Sequence, residues 1–170
     1  HKGVDLMKEV LEKSLYERNI QYVVLGSGEW EYENFFRYLH DKYPDKVGIT
    51  IGFVPDLARK IYAGADLFLM PSKSEPCGLS QMVALRYGTL PIVRETGGLK
   101  DSITDCGDGH GNGFTFKTYD AYDMLGAIYR GVDAYNSKDW KVLVKRALEC
   151  DMSWGKSANE YIKMYRSLLK

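Results

Sequence analysis

Helix-like and strand-like patterns of hydrophobic and polar positions alternate along the first hundred residues. In residues 4–15 the apolar side chains Leu6, Val10, Leu11 and Leu15 lie at helical spacing, which predicts an amphipathic helix. The segment QYVVLGSG that follows is a short β-branched run ending in glycines, which predicts a strand and a turn. Further strands are predicted in VGITIGF, ADLFLMPS and TLPIVRE, with helices between them over residues 29–43, 55–65 and 77–88.

This alternation predicts an α/β fold. Nearly continuous apolar strands fit a Rossmann-like parallel sheet with helices on both faces. The glycine-rich segment DCGDGHGNGF then predicts a surface loop, and helical patterns follow over residues 119–132, 138–148 and 154–169. The last pattern carries an apolar stripe formed by Ala158, Tyr161, Ile162, Tyr165 and Leu169. Because no repeat or linker interrupts the chain, we expect a single domain over residues 1–170.

Composition and charge narrow the class of protein. The 170 residues are 45% hydrophobic and 27% charged, with a net charge of zero. A neutral chain without a basic stripe argues against a nucleic-acid partner, and no apolar run reaches the length of a membrane span. Three cysteines without a CxxC pair predict reduced thiols in the cytoplasm rather than a disulfide framework or a zinc site. The opening HKGVDL lacks an initiator Met, so we expect a domain of a longer protein.

The loops at the carboxyl ends of the predicted strands are the candidate ligand site. Ligands of open α/β sheets bind at that edge, and here its loops read GSGE, GFVPD, PSKSEPCG and ETGGL. Gly78 is predicted to begin a helix, whose free N–H groups and partial positive charge suit a phosphate. Thr96, Gly97 and Gly98 could supply a second set of amide donors. The alternative, that these glycines only permit turns, stays open from the residues themselves.

Glu75 precedes that helix and does not suit phosphate, since like charges repel. A carboxylate there suits sugar hydroxyls or a positive charge developing at an anomeric carbon. The alternative is a carboxylate that only stabilises the helix N-terminus. A nicotinamide-dinucleotide site is disfavoured, because GSG at residues 26–28 is followed by Glu31 where the third glycine belongs.

The stretch PSKSEPCGLSQMVALRYGTLPIVRETGGLKDSI closely resembles the bacterial glycogen synthase and plant starch synthase family. The opening HKGVD, the segment IYAGAD and the closing DMSWGKSANEYIKMYRSLL also resemble that family, so the likeness extends over essentially the whole chain. It implies the C-terminal, donor-binding half of a two-domain retaining glycosyltransferase. Such an enzyme transfers glucose from ADP-glucose to the non-reducing end of an α-1,4-glucan and releases ADP. It requires no metal or other cofactor.

The resemblance also implies roles for individual residues. Glu75 matches the carboxylate that contacts the glucose and supports the charged transition state, and Lys2 matches the lysine that neutralises the leaving diphosphate. Phe53 falls where the family often has a tyrosine near the adenine, so the ring is kept and a hydroxyl is lost. The remaining donor-binding positions are Cys77, Gly78, Leu79, Thr96, Gly97 and Gly98.

The family's N-terminal domain, with its acceptor groove, and an arginine before the KG motif have no counterpart in these residues. We therefore expect the chain by itself to lack transferase activity, and its last helix to match one that packs on the N-terminal domain. Two alternatives remain: a glycosyltransferase with another donor or acceptor, and a stand-alone module that binds a nucleotide sugar or a glucan.

Overall fold

The computed structural model describes residues 1–169, apart from the side chain of Asp108. Helices and strands alternate up to residue 116, and three helices follow. The elements in chain order are α1 Val4–Glu17, β1 Tyr22–Gly26, α2 Trp30–Lys42, β2 Val47–Ile51, α3 Pro55–Gly64, β3 Leu67–Met70, α4 Ser80–Tyr87, β4 Leu90–Arg94, α5 Gly97–Ser102, β5 Phe114–Phe116, α6 Ala121–Tyr135, α7 Trp140–Glu149 and α8 Trp154–Leu168.

All strand pairs in the described residues are parallel, which confirms the predicted α/β class. The strands form a two-stranded sheet, β1-β2, and a three-stranded sheet, β3-β4-β5, and helices flank them. In the larger sheet Met70 pairs with Val93, so the residues just after β3 lie beside Arg94 at the end of β4. That shared edge carries both the Glu75 loop and the TGG loop, as the sequence predicts.

The strand β5 was not predicted. Its three residues Phe114–Phe116 follow the glycine-rich segment, and three residues are too few to show a period. Phe114 and Phe116 are almost fully buried, and Ile92 of β4 pairs with Phe114. Tertiary packing against β4 and α6 therefore makes this short segment a strand.

The core lies where α1, α6 and β4 meet. In α1 the side chains of Leu6, Val10, Leu11 and Leu15 are buried, as the helical spacing predicts. α6 packs on α1, β4 and β5, and its face toward them is apolar. At Gly131 of α6 a β-carbon would lie 3.1 Å from the Leu67 side chain, so glycine lets the helix approach β3 closely.

The glycine-rich segment is held in place by a carboxylate. Asp105 accepts hydrogen bonds from the Gly107 N–H at 2.8 Å, the Thr115 N–H at 2.7 Å and the Arg130 guanidinium at 3.0 Å. Burial acts to raise the pKa of Asp105, but these donors outweigh it and hold the pKa below its ordinary value of 3.8. The loop is thus tied to β5 and α6.

α8 has no buried residue in the part of the chain that the structure describes. The predicted stripe is exposed: Tyr161 and Tyr165 are each 57% exposed and Ile162 is 45% exposed. An amphipathic helix is normally stabilised by burial of its apolar face against another element.

None of the helices in residues 1–169 is both long and apolar enough to cross a membrane.

Candidate functional site

Lys2 and Glu75 form an ion pair at the carboxyl edge of the larger sheet. The Lys2 Nζ donates a hydrogen bond to Glu75 Oε2 at 2.5 Å, across 73 positions of sequence. The Glu75 side chain is only 11% exposed, whereas that of Lys2 is 63% exposed. The structure thus brings together the two residues predicted to be catalytic.

The residues around Lys2 are fixed to the end of β3 by close backbone contacts. The Lys73 N–H donates to the His1 carbonyl at 3.0 Å. Gly3 has a φ of 80°, and a β-carbon there would lie 2.1 Å from the Pro71 carbonyl oxygen. A side chain at Gly3 would therefore be excluded both by conformation and by space.

Glu75 does not cap a helix. Its carboxylate accepts from Lys2 and, at 3.4 Å, from the hydroxyl of the buried Ser72. α4 begins at Ser80, with Leu79 as the N-cap residue, so the prediction that Gly78 begins this helix is wrong. Gly78 has a φ of 72°, a left-handed conformation that cannot form part of a right-handed helix.

The N-terminus of α4 has no side-chain cap, and its first residue, Ser80, is half-buried. Cys77 and Leu79, which were predicted to face a phosphate, are exposed just before it, Leu79 by 68%. An uncapped helix start offers free N–H groups and a partial positive charge of roughly half a unit. The geometry is therefore suited to an anion.

The turn before α4 is held from beneath by Gln81, which is fully buried. Its amide Nε2 donates to the Gly78 carbonyl at 2.9 Å, the Cys77 carbonyl at 3.2 Å and the Ser102 hydroxyl at 3.1 Å. Gln81 was not among the predicted site residues, because its residue type alone does not indicate a bond to the backbone of this turn. Its burial is the signal that identifies it.

The TGG loop packs directly against the Glu75 loop. A β-carbon at Gly97 would lie 2.2 Å from the Glu75 carbonyl oxygen, and one at Gly98 would lie 2.1 Å from the Cys77 carbonyl oxygen. The Gly98 N–H donates to the Glu75 carbonyl at 3.1 Å, and the Thr96 N–H donates to the Arg94 carbonyl at 2.8 Å. Two of the three amides expected to bind phosphate are therefore bonded within the protein, and the loop's clear role is to allow this close approach.

Phe53 lies two residues beyond β2 and is 91% exposed. The described residues show no ring contact or hydrogen bond between it and the Lys2–Glu75 pair. Its exposed ring leaves an aromatic face open to a planar ligand.

No group of three or more His, Cys, Asp or Glu side chains in the described part of the chain is arranged to hold a metal ion.

The family model for glycosyl transferases group 1 matches residues 1–138. The chain belongs to this glycosyltransferase family. It is 50% identical to a glycogen synthase from Bacillus cereus strain ATCC 10987, over 99% of this chain and 36% of that protein. It is also 50% identical to a glycogen synthase from Anoxybacillus flavithermus, over 99% of this chain and 35% of that protein.

Solved structures give the same picture. The catalytic domain of starch synthase IV from Arabidopsis thaliana, bound to ADP and acarbose, matches with a TM-score of 0.85 and 37% identity, over 99% of this chain and 36% of that one. Sucrose-phosphate synthase from Thermosynechococcus elongatus matches with a TM-score of 0.67 at 21% identity, which shows a shared fold. The chain thus spans about a third of the length of the curated relatives it matches.

Proposed function

We propose that this chain is the donor-binding half of a retaining ADP-glucose:α-1,4-glucan glucosyltransferase. The observation that carries the proposal is the Lys2–Glu75 pair, which lies beside the uncapped start of α4. A carboxylate, an ammonium group and open helix amides are the three groups that a nucleotide-diphosphate sugar requires. The similarity to glycogen synthases and to an ADP-bound starch synthase supports ADP-glucose as the donor.

In this proposal the diphosphate binds at the turn that leads into α4. Cys77, Gly78 and Leu79 present the backbone to the phosphates, and the dipole of α4 favours their negative charge. Gly97 and Gly98 keep that turn in place, and Thr96 lies at the sugar end. The adenine stacks on the exposed ring of Phe53. This binding scheme needs no metal, because amides and Lys2 supply the positive charge.

Lys2 and Glu75 then act on the transition state. As the bond between the anomeric carbon and the diphosphate oxygen breaks, negative charge grows on ADP and the glucosyl group becomes oxocarbenium-like. Lys2 stabilises the departing phosphate, and the Glu75 carboxylate stabilises the sugar. The acceptor O4 attacks from the leaving-group face, so the α configuration is retained, and the O4 proton passes to the phosphate oxygen of the departing ADP.

The ion pair indicates how Lys2 reaches the phosphate. The Lys2 side chain is 63% exposed, so its ammonium group can move while it stays hydrated, whereas the Glu75 carboxylate, 11% exposed, then needs a new partner. A bound diphosphate offers two or more negative charges in place of one. Donor binding therefore draws Lys2 toward the phosphate and leaves the Glu75 carboxylate available to the sugar.

The full enzyme in this proposal has a second domain, N-terminal to this chain, that binds the glucan. α8 exposes an apolar face that such a domain could cover. Closure of the two domains would exclude water from the glucosyl group. We expect the enzyme to act in the cytoplasm, where ADP-glucose would be available to it.

The test is transfer of labelled glucose from ADP-glucose to glycogen, measured for the full-length protein and for residues 1–170. We expect transfer by the full-length protein, with ADP released in equal amount, and negligible transfer by residues 1–170. Transfer only from UDP-glucose would replace the donor in the proposal. Donor binding by a full-length protein that transfers nothing would instead support a stand-alone binding module.

A further inference from the structure

Arg94, the last residue of β4, holds the beginning of the loop that carries Glu75. Its Nε donates to the Ser72 carbonyl at 3.0 Å, and its Nη2 donates to the Lys73 carbonyl. One planar guanidinium group thus fixes two consecutive peptide units. The parallel register of β3 and β4 places Arg94 next to those carbonyls.

The same two residues hold the two members of the ion pair. Ser72 donates its hydroxyl to the Glu75 carboxylate at 3.4 Å. Lys73 donates its backbone N–H to the carbonyl of His1, the residue before Lys2. A movement of Ser72 and Lys73 would therefore displace both the carboxylate and the ammonium group.

The Tyr119 ring lies close to both Arg94 and Lys73. The Arg94 guanidinium carbon lies 5.6 Å from the centre of the Tyr119 ring, and the Lys73 Nζ lies 5.5 Å from it. The Tyr119 hydroxyl donates to Asp5 Oδ1 at 2.6 Å, in the first turn of α1. Burial and the Asp5 carboxylate raise the pKa of Tyr119 to about 12, so the hydroxyl keeps its proton at neutral pH.

These contacts close into a ring. Lys2 and Asp5 are three residues apart in the chain. The Asp5 carboxylate accepts a hydrogen bond from the Tyr119 hydroxyl, and the Tyr119 ring lies against Arg94. Arg94 then holds the loop whose Glu75 returns to Lys2. Tyr119 and Arg94 come from parts of the chain that no single motif joins.

We propose that Arg94, backed by Tyr119, is a positioning residue that aims the Glu75 carboxylate and the Lys2 ammonium group at the bound sugar diphosphate. This inference rests on the proposed function of the same site. Lysine cannot replace arginine here, because an ammonium group lacks the planar fork that reaches two carbonyls in fixed directions. Arg94 acts through the loop and touches neither substrate.

The first test is steady-state kinetics of Arg94→Lys in the full-length enzyme. A displacement of about 1 Å in a catalytic group can cost roughly 10²-fold in rate, so we expect kcat to fall by that order while the KM for ADP-glucose changes less than about threefold. The matched control is Arg146→Lys. Arg146 also donates to a backbone carbonyl, that of Gly111 at 2.8 Å, but it lies in α7, away from the pair, and we expect kcat to stay unchanged.

A double-mutant cycle separates positioning from general loss of structure. If Arg94 acts through Glu75 and Lys2, then Arg94→Lys should lower kcat less in a Glu75→Gln background than in the wild-type background, because the aimed carboxylate is already gone and only the aiming of Lys2 can still be lost. Equal losses in both backgrounds would overturn the inference, as would a normal kcat in Arg94→Lys. If Arg94→Lys fails to fold, Tyr119→Phe takes its place in the cycle, since it loses only the hydroxyl bond to Asp5.

Hydrogen exchange gives a readout that does not depend on activity. Arg94→Lys should speed exchange of the Lys73 and Gly98 amides, which bond to His1 and Glu75, and leave amides in α6 unchanged. If Arg94→Lys speeds exchange at these two amides but the wild-type protein transfers no glucose, the proposed function is contradicted and the positioning role is kept. Unchanged exchange would overturn the positioning role whatever the activity.

Discussion

Gly98→Ala tests whether the close contact between the TGG loop and the Glu75 loop is needed for the proposed phosphate binding. A β-carbon at position 98 would lie 2.1 Å from the Cys77 carbonyl oxygen and 2.6 Å from the Cys77 Cα. Ordinary contact begins near 3.4 Å, so the turn before α4 must retreat from 2.1 to 3.4 Å, a shift of about 1.3 Å. The atoms involved are backbone, and no side-chain rotation can relieve the clash.

In the proposed site, a shift of that size would move the amides of Cys77 and Gly78 out of hydrogen-bond range of the phosphate. Each such bond to a charged group contributes about 1.5–3 kcal/mol, so the loss of one or two predicts a Kd for ADP that is at least tenfold higher. Isothermal titration calorimetry on the full-length protein measures it. The matched control is Gly126→Ala on α6, where a β-carbon meets nothing within 4 Å.

We expect Gly126→Ala to bind ADP normally and to gain up to about 1 kcal/mol of stability, because alanine favours a helix over glycine. The reasoning fails if Gly98→Ala binds ADP as tightly as the wild type does. It also fails if both variants weaken ADP binding equally, since the loss would then not come from the contact with Cys77.

Three further predictions follow from named contacts. Glu75→Ala should lower kcat by roughly 10²-fold and leave the Kd for ADP-glucose within about threefold; a change confined to KM would contradict its role in the transition state. Phe53→Leu should weaken ADP binding by roughly tenfold in calorimetry, while Phe53→Tyr binds normally; equal binding by all three proteins would show that no base stacks there. Asp105→Asn should cost about 2 kcal/mol of unfolding free energy at pH 7. Because the folded pKa of Asp105 is lowered, its stabilisation is present above pH 3.8 and is lost as the pH falls below that value. Urea unfolding from pH 7 to pH 2.5 should therefore show the difference in unfolding free energy between Asp105→Asn and the wild type shrinking. A difference that stays constant over this range would refute the stabilising role of the Asp105 carboxylate.

The α/β class and the helical faces could be predicted from the sequence because they follow from local periodicity. The buried stripe of α1 is one example, since Leu6, Val10, Leu11 and Leu15 repeat at helical spacing and are all buried. β5 could not be predicted, because the pairing of Phe114 with Ile92 is set by distant packing. Periodicity also does not show which strands pair, so the division into two sheets came only from the structure.

The candidate site was predictable in its residue types but not in its internal bonds. Glu75 and Lys2 stood out through motifs, and the structure places them in contact. The sequence could not show that Gly98 gives its amide to the Glu75 carbonyl, because this contact joins two loops with no common pattern. Arg94 was not predicted as a site residue either. Its partners are backbone carbonyls, which every residue has, so the sequence does not indicate them.

The loops at the carboxyl edge of the larger sheet are proposed to bind the diphosphate of an adenine nucleotide. The most direct measurement is a titration of the ¹⁵N-labelled full-length protein with ADP, followed by NMR, with UDP and NAD as controls. We expect the amides of residues 77–81 and 96–98 to shift with ADP and not with the controls. A folded, assigned protein in which ADP moves none of these amides, or moves a different surface, would contradict it.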